Sequence, residues 1–255
     1  MSRVKSVLIW AGIVALVFIW LPLMAIVWLF DRDPARYRTG RAFRKLGYAI
    51  SKINPNWNIN IDQGYLSFND RTPFVMVSNH LSNADIPVIS NLPWEMKWIA
   101  KKELFELPGL GWMLKLAGDI PVDRKSSNKR IAVFKSCSNY LKKNVSVIFF
   151  PEGTRSRDGR LNKFAVGAFD LAIREGVNVL PIVVDGTQSC LPKKSWLFEP
   201  EVYVKLKVLD PVDVSTFKAE ESLALMNTVR DRIARQLAEW RGVSVSEVDA
   251  LHGKK

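Results

Sequence analysis

PFVMVSNHLSNADIP, residues 73–87, decides how the fold is read. Its apolar opening, PFVMV, shows no alternation, which is the pattern of a short strand covered on both faces. At Asn79 the chain turns polar, and a helical pattern runs from about Ala84 to Leu92. Working outward, the same strand type recurs at MKWIA (96–100), GDIPV (118–122), VSVIFF (145–150) and VNVLPIVV (177–184), with helical patterns at 108–116, 129–142 and 165–175. Strands alternating with helices predict an α/β fold, a largely parallel or mixed sheet flanked by helices. EVYVKLKV (201–208) alternates strictly and predicts a half-exposed strand. The helix predicted from Ala219 to Trp240 sets Leu223, Met226, Val229, Ile233, Leu237 and Trp240 on one face for core packing.

The N-terminus is of another kind. Val7 to Phe30 is 24 residues without a charge, enough to cross a hydrocarbon core of about 30 Å. It is longer than a signal-peptide apolar region and lacks a small-residue cleavage site, so an uncleaved membrane anchor is expected, spanning the bilayer or re-entering at Pro22. Residues 31–53 carry seven Lys/Arg against two Asp, with Phe43, Leu46, Ile50 and Ile53 at helical spacing: a basic amphipathic helix suited to an anionic membrane surface, or to packing on the domain. The expected division is therefore a membrane-anchoring segment, 1–53, and an α/β domain, 54–255. Over the whole chain 37 Lys+Arg face 25 Asp+Glu, which calls for an anionic partner. Nucleic acid explains the charge but not the uncharged stretch, and is not expected as a partner. Two distant cysteines, Cys137 and Cys190, indicate neither a disulfide framework nor a zinc site.

Each apolar run is followed by a polar cluster: NHLSNAD, Lys101-Lys102, Asp123-Arg124, PEGTRSR and Asp185-Gly186-Thr187. Ligands of open α/β sheets bind beyond the carboxyl ends of the strands. His80 can serve as a neutral imidazole base, and Asp85, from the start of a helix, can orient it and stabilise the imidazolium. The other histidine, His252, lies near the C-terminus, so no two-histidine metal site is expected and no cofactor is called for. Neither G-x-S-x-G nor an activated cysteine setting is present, so His80 is expected to act on a hydroxyl of the substrate. Glu152, Arg155 and Arg157 share a turn with Gly153, and guanidinium groups grip phosphate in two-pronged fashion. Lys101 and Arg124 are candidates for the same anion.

NHLSNAD, with its N-H-x-x-S-x-x-D core, and FPEGTRSR resemble the signature motifs of the glycerolipid acyltransferases, in particular those acting on 1-acyl-sn-glycerol-3-phosphate. KKELFELPGLGWMLKLAGDIPVDR resembles the block between them and VLPIVVDGT the last block, so the resemblance covers about residues 73–190. It implies acyl transfer from a thioester, acyl-CoA or acyl carrier protein, to the free hydroxyl of a lysophospholipid, with phosphatidic acid as the expected product. It assigns His80 as base, Asp85 as its partner, and Glu152, Gly153, Thr154 and Arg155 to acceptor binding; Arg124 stands at a basic position of a variable block. Glycerol-3-phosphate or another lysolipid is the alternative acceptor. A non-catalytic membrane-bound interaction module would explain the anchor but not the clusters. The expected location is a membrane, at its cytoplasmic face.

Overall fold

The computed structural model describes residues 3–64, 71–123, 127–191 and 195–251, and of 127–130 the backbone alone. They form two compact units, the first from residues 3–56, 71–73 and 86–148, the second from 57–64, 74–85 and 149–251.

In the first unit, strands β3 (Met96–Lys101), β4 (Ile120–Val122) and β5 (Ser146–Phe149) are parallel, with Ile99 beside Ile120 and Met96 beside Ser146. Helix α5 (Ser127–Leu141) contacts β3 and β4. The N-terminal helices α1 (Arg3–Phe30) and α2 (Tyr37–Ile53) run beside one another: the indole Nε1 of Trp20 donates to Ala42 O at 2.8 Å, and a side chain at Gly12 would meet Ile53. Pro22 lies inside an unbroken α1. Met24 of α1, Leu46 of α2 and Met113 and Ala117 of α4 (Leu110–Ala117) form a buried cluster, with Phe43 and Ile50 packed against it. The apolar face of the basic helix is thus spent inside the unit. Arg44 goes inward as well, pairing with Asp119 at 2.6 Å and with Glu95 at 3.9 Å. Glu95 in turn holds the fully buried Lys97 at 2.8 Å, and a Cβ on Gly40 would fall 1.9 Å from the Glu95 carboxylate. A glycine in α2 therefore admits Glu95 against the helix backbone. Burial pushes the Glu95 carboxyl above its usual range, Lys97 and Arg44 opposing it.

The second unit carries β1 (Trp57–Asp62), β7 (Val202–Val208), β6 (Val179–Asp185) and β2 (Val75–Ser78) in that spatial order. β1 is parallel to β7, β2 is parallel to β6, and β6 and β7 are antiparallel. Both units have the mostly parallel, helix-flanked character expected. Helix α6 (Gly167–Glu175) packs on β2 and α7 (Ser222–Arg241) on β6, followed by the short α8 (Val245–Val248). Leu225, Met226, Val229, Ile233 and Leu237 of α7 are buried; Leu223, expected on the same face, is exposed because it sits one residue into the helix. β7 alternates buried Val202, Val204 and Leu206 with exposed Tyr203 and Lys205. β1, unanticipated from the sequence, also alternates, its isoleucines half-buried between exposed Asn and Asp.

Candidate active site

Asn79, directly after β2, is buried and continues the sheet with its side chain: its amide donates to Val184 O at 2.8 Å and accepts from Val184 N at 2.9 Å. This fixes the next residue, His80, to the end of β6. The His80 backbone is held from both sides, its N–H donating to Glu152 Oε1 and its carbonyl accepting from Ser156 N–H, each at 2.8 Å. The imidazole stacks on Phe150, ring centres 4.0 Å apart and 17° from parallel.

Asp85 opens α3 (Asp85–Ile89) and turns its fully buried carboxylate back on the loop before it. Oδ2 lies 2.6 Å from His80 Nδ1 and accepts the N–H groups of Leu81 at 2.8 Å and Ser82 at 3.0 Å. Oδ1 accepts the hydroxyl of Thr187. Four donors converge on this carboxylate, and with Nδ1 donating to Oδ2 the other ring nitrogen, Nε2, is the one left to accept a proton. The side chain of His80 is 14% exposed, open enough for a substrate atom to reach. Such an arrangement can act as a base with an orienting partner.

Glu152 is placed differently from the sequence reading. Oε1 serves His80 N–H, and Oε2 accepts both the backbone N–H of Asn162 at 3.0 Å and its side-chain amide at 2.7 Å. Both oxygens are engaged by the protein, and burial pushes the carboxyl up despite those hydrogen bonds. In the same turn Gly153 has a φ of 67°, the left-handed conformation that glycine adopts without a Cβ penalty. Gly153 and Thr154 are exposed, Arg155 is half-buried, and Arg157 is exposed. Neither arginine pairs with a carboxylate among the described residues, which leaves two guanidinium groups available to an anion.

Of the other candidates, Lys101 belongs to the first unit, where it is exposed and pairs loosely with Glu103 at 3.7 Å. Arg124 lies outside the described residues. Asp185, read as part of a strand-end cluster, is a tether instead, gripped by Arg241 at 2.6 and 3.0 Å. Burial pushes the thiols of Cys137 and Cys190 to about 12, so neither is a thiolate near neutral pH. Asn79, Phe150, Asn162 and Thr187 have no individual role in the sequence reading. Asn79, Phe150 and Thr187 lie inside or beside recognised motifs, while the nine residues between Glu152 and Asn162 give no signal of their pairing.

Known proteins resemble this chain over the region that carries the site. The acyltransferase family model matches residues 60–185. A chloroplastic 1-acyl-sn-glycerol-3-phosphate acyltransferase of Arabidopsis thaliana is 35% identical over 238 residues, 92% of this chain and 65% of that one. One of Brassica napus is 39% identical over 188 residues, 72% of this chain and 54% of that one. The chain thus spans less than two thirds of the length of these relatives. The crystal structure of a 1-acyl-sn-glycerophosphate acyltransferase of Thermotoga maritima superposes with a TM-score of 0.78 at 28% identity, covering 94% of this chain and 98% of the other.

Proposed function

We propose, from the match of residues 60–185 to the acyltransferase family model, that the chain moves a fatty acyl group from a thioester donor to the free hydroxyl of 1-acyl-glycerol-3-phosphate, giving phosphatidic acid. The observation that carries this reading is the hydrogen-bonded His80–Asp85 pair, a base for a hydroxyl proton, in a chain whose two thiols are buried and protonated. As the acceptor oxygen attacks the thioester carbonyl carbon, its proton passes to His80 Nε2, and Asp85 stabilises the imidazolium. The tetrahedral adduct then collapses, the C–S bond breaks, and the imidazolium returns the proton to the leaving sulfur. The products are the diacyl lipid and a free thiol; no acyl-enzyme forms and no cofactor is consumed.

Arg155, with Gly153 and Thr154, takes the acceptor phosphate in this reading, because its guanidinium has no carboxylate partner among the described residues and shares a turn with the Glu152 that holds His80. Glu152 acts as a positioning residue, since its oxygens are already taken. Lys101 and Arg124 are assigned to anion binding on charge alone. The donor is acyl-CoA or acyl carrier protein.

Residues 1–53 are the membrane-anchoring segment and 54–255 the catalytic part. Several observations favour an anchor lying in one leaflet over a span, and the face it occupies in this reading is the cytoplasmic one. α1 is long and apolar enough to cross, at roughly 42 Å for 28 residues. Yet α2 accompanies it from Gly12 to Trp28, where Arg36 sits over the indole at 4.8 Å. A transmembrane α1 would drag Arg38, Arg41, Lys45 and Lys52 of α2 into hydrocarbon, at a cost of about 2.5–3.5 kcal/mol for each charge near the centre. Laid flat, α1 buries its exposed Leu8, Val14, Phe18, Ile19, Leu23 and Ile26 while α2 keeps its charges at the head groups. The test of the reaction is an acyl-transfer assay on purified protein with a lysolipid panel and both donor types. Donor hydrolysis without transfer to any acceptor would replace this reading with a thioesterase.

A further inference from the structure

We propose that Thr187 is a positioning residue of the base: its hydroxyl, delivered from the end of β6, holds the outer oxygen of Asp85 and so sets how tightly the carboxylate grips the His80 proton. The inference rests on the reading of His80 as the base in acyl transfer and adds a residue to it.

The geometry begins with the DGT triplet that closes β6. Asp185 is clamped by Arg241 of α7 through both carboxylate oxygens, and its Oδ1 also accepts Gly186 N–H at 3.0 Å. Gly186 then turns with a φ of 86°, so close to β7 that a Cβ would fall 2.0 Å from the Tyr203 carbonyl oxygen. No other residue fits there without moving β7. The turn drops Thr187, fully buried, beside Asp85, and the hydroxyl donates to Oδ1. Asp85 thereby has a partner on each oxygen from a different part of the unit. Oδ2 is fixed by its own loop and His80, and Oδ1 by a residue 102 positions away in sequence.

Two consequences follow. With Oδ1 held, the carboxylate cannot rotate away from Nδ1, so the imidazole is presented in one orientation. With charge drawn toward Oδ1, Asp85 stabilises the imidazolium less than a carboxylate bonded only through Oδ2 would. Removing the hydroxyl would therefore strengthen the hold of Asp85 on the imidazolium. Among the described residues of this unit, Glu152 and Cys190 are the other titratable groups that act on the pair. Glu152 is raised by burial and hydrogen-bonded to the His80 backbone, and Cys190 is held near 12 by burial and by Asp85 itself. The Thr187 hydroxyl is directed at Asp85 rather than at either of them, so a substitution that removes it reads the Asp85 contact.

The experiment is the pH dependence of kcat/KM for acyl transfer in Thr187→Val, which keeps the shape and removes the donor. The acid limb is expected to move to higher pH by roughly half to one unit, the size set by one hydrogen bond. kcat should fall about 10- to 100-fold, as it does for outer partners of orienting groups at metal sites, with the acceptor KM unchanged. Thr187→Ser should restore the parental limb and most of the rate. A limb that stays in place in Thr187→Val overturns the inference, whether or not the rate falls. If the valine variant does not fold, Thr187→Ser and Thr187→Ala are compared, and identical limbs in those two overturn it equally. Parental protein without transferase activity would instead overturn the reaction on which the inference rests.

Discussion

At the scale of single residues, the proposed reaction separates groups that would meet substrate from groups that hold those groups in place. His80→Ala deletes the base, and the loss of general-base catalysis sets an expected fall of about 10²–10⁴ in kcat in a protein that still folds, read by steady-state kinetics and circular dichroism. Asp85→Asn should fall comparably, since an amide cannot accept from three donors and still stabilise an imidazolium. Arg155 and Glu152 are neighbours in one motif but should fail differently. Arg155→Lys loses the two-pronged grip and should raise KM for a phosphomonoester acceptor, with kcat little changed. Glu152→Gln places an N–H₂ against the Asn162 N–H, loosening the turn that holds His80, and should lower kcat with KM preserved. A raised KM in Glu152→Gln would return that residue to acceptor binding. The His80–Asp85 contact was legible in the sequence because two chemically distinctive residues stood five apart at a strand end. The roles of Asn162 and Thr187 were not, because an amide and a hydroxyl acquire a role only through partners 10 and 102 residues away.

At the scale of elements, α2 is the instructive case. Its sequence showed a basic helix with an apolar stripe, and periodicity alone does not say what either face meets. The stripe packs on α1 and α4, and Arg44 is buried between Asp119 and Glu95. Arg44→Gln would leave the buried Asp119 carboxylate without its cation and Glu95 with Lys97 alone, so it should destabilise the protein by about 3–5 kcal/mol in chemical denaturation. It is therefore unsuited to testing lipid binding. Arg36 is also committed, donating to Asp31 O at 2.6 Å. Arg38, Arg41 and Lys45 remain for that test: changing all three to Gln should keep the fold and weaken sedimentation with anionic liposomes. The effect should shrink at high salt and vanish on neutral liposomes. Equal binding to both liposome types, before and after the change, would remove the electrostatic share assigned to α2. β1 escaped the sequence reading for a related reason: WNINID offers only half-buried isoleucines between polar residues, and its place is set by pairing with β7.

At the scale of the whole molecule, the positive excess of the chain lies in the first unit, the one with α1 and α2, and the second unit is near neutral. That division explains why composition pointed to an anionic partner but not to which surface meets it. The α/β class was readable because buried parallel strands are continuous apolar runs, whereas the division into two units, each assembled from separated stretches of chain, leaves no mark on local pattern. In the proposed reaction one base activates the acceptor hydroxyl, and the acyl group passes directly between two bound substrates. The measurement that tests it most directly is a two-substrate kinetic analysis of acyl transfer to 1-acyl-glycerol-3-phosphate, paired with intact-protein mass spectrometry after donor alone. Intersecting sequential kinetics, an unmodified protein mass and loss of transfer in His80→Ala are the predicted results. Parallel ping-pong lines with an acyl adduct on Cys137 or Cys190, or a His80→Ala protein with parental activity, would contradict it.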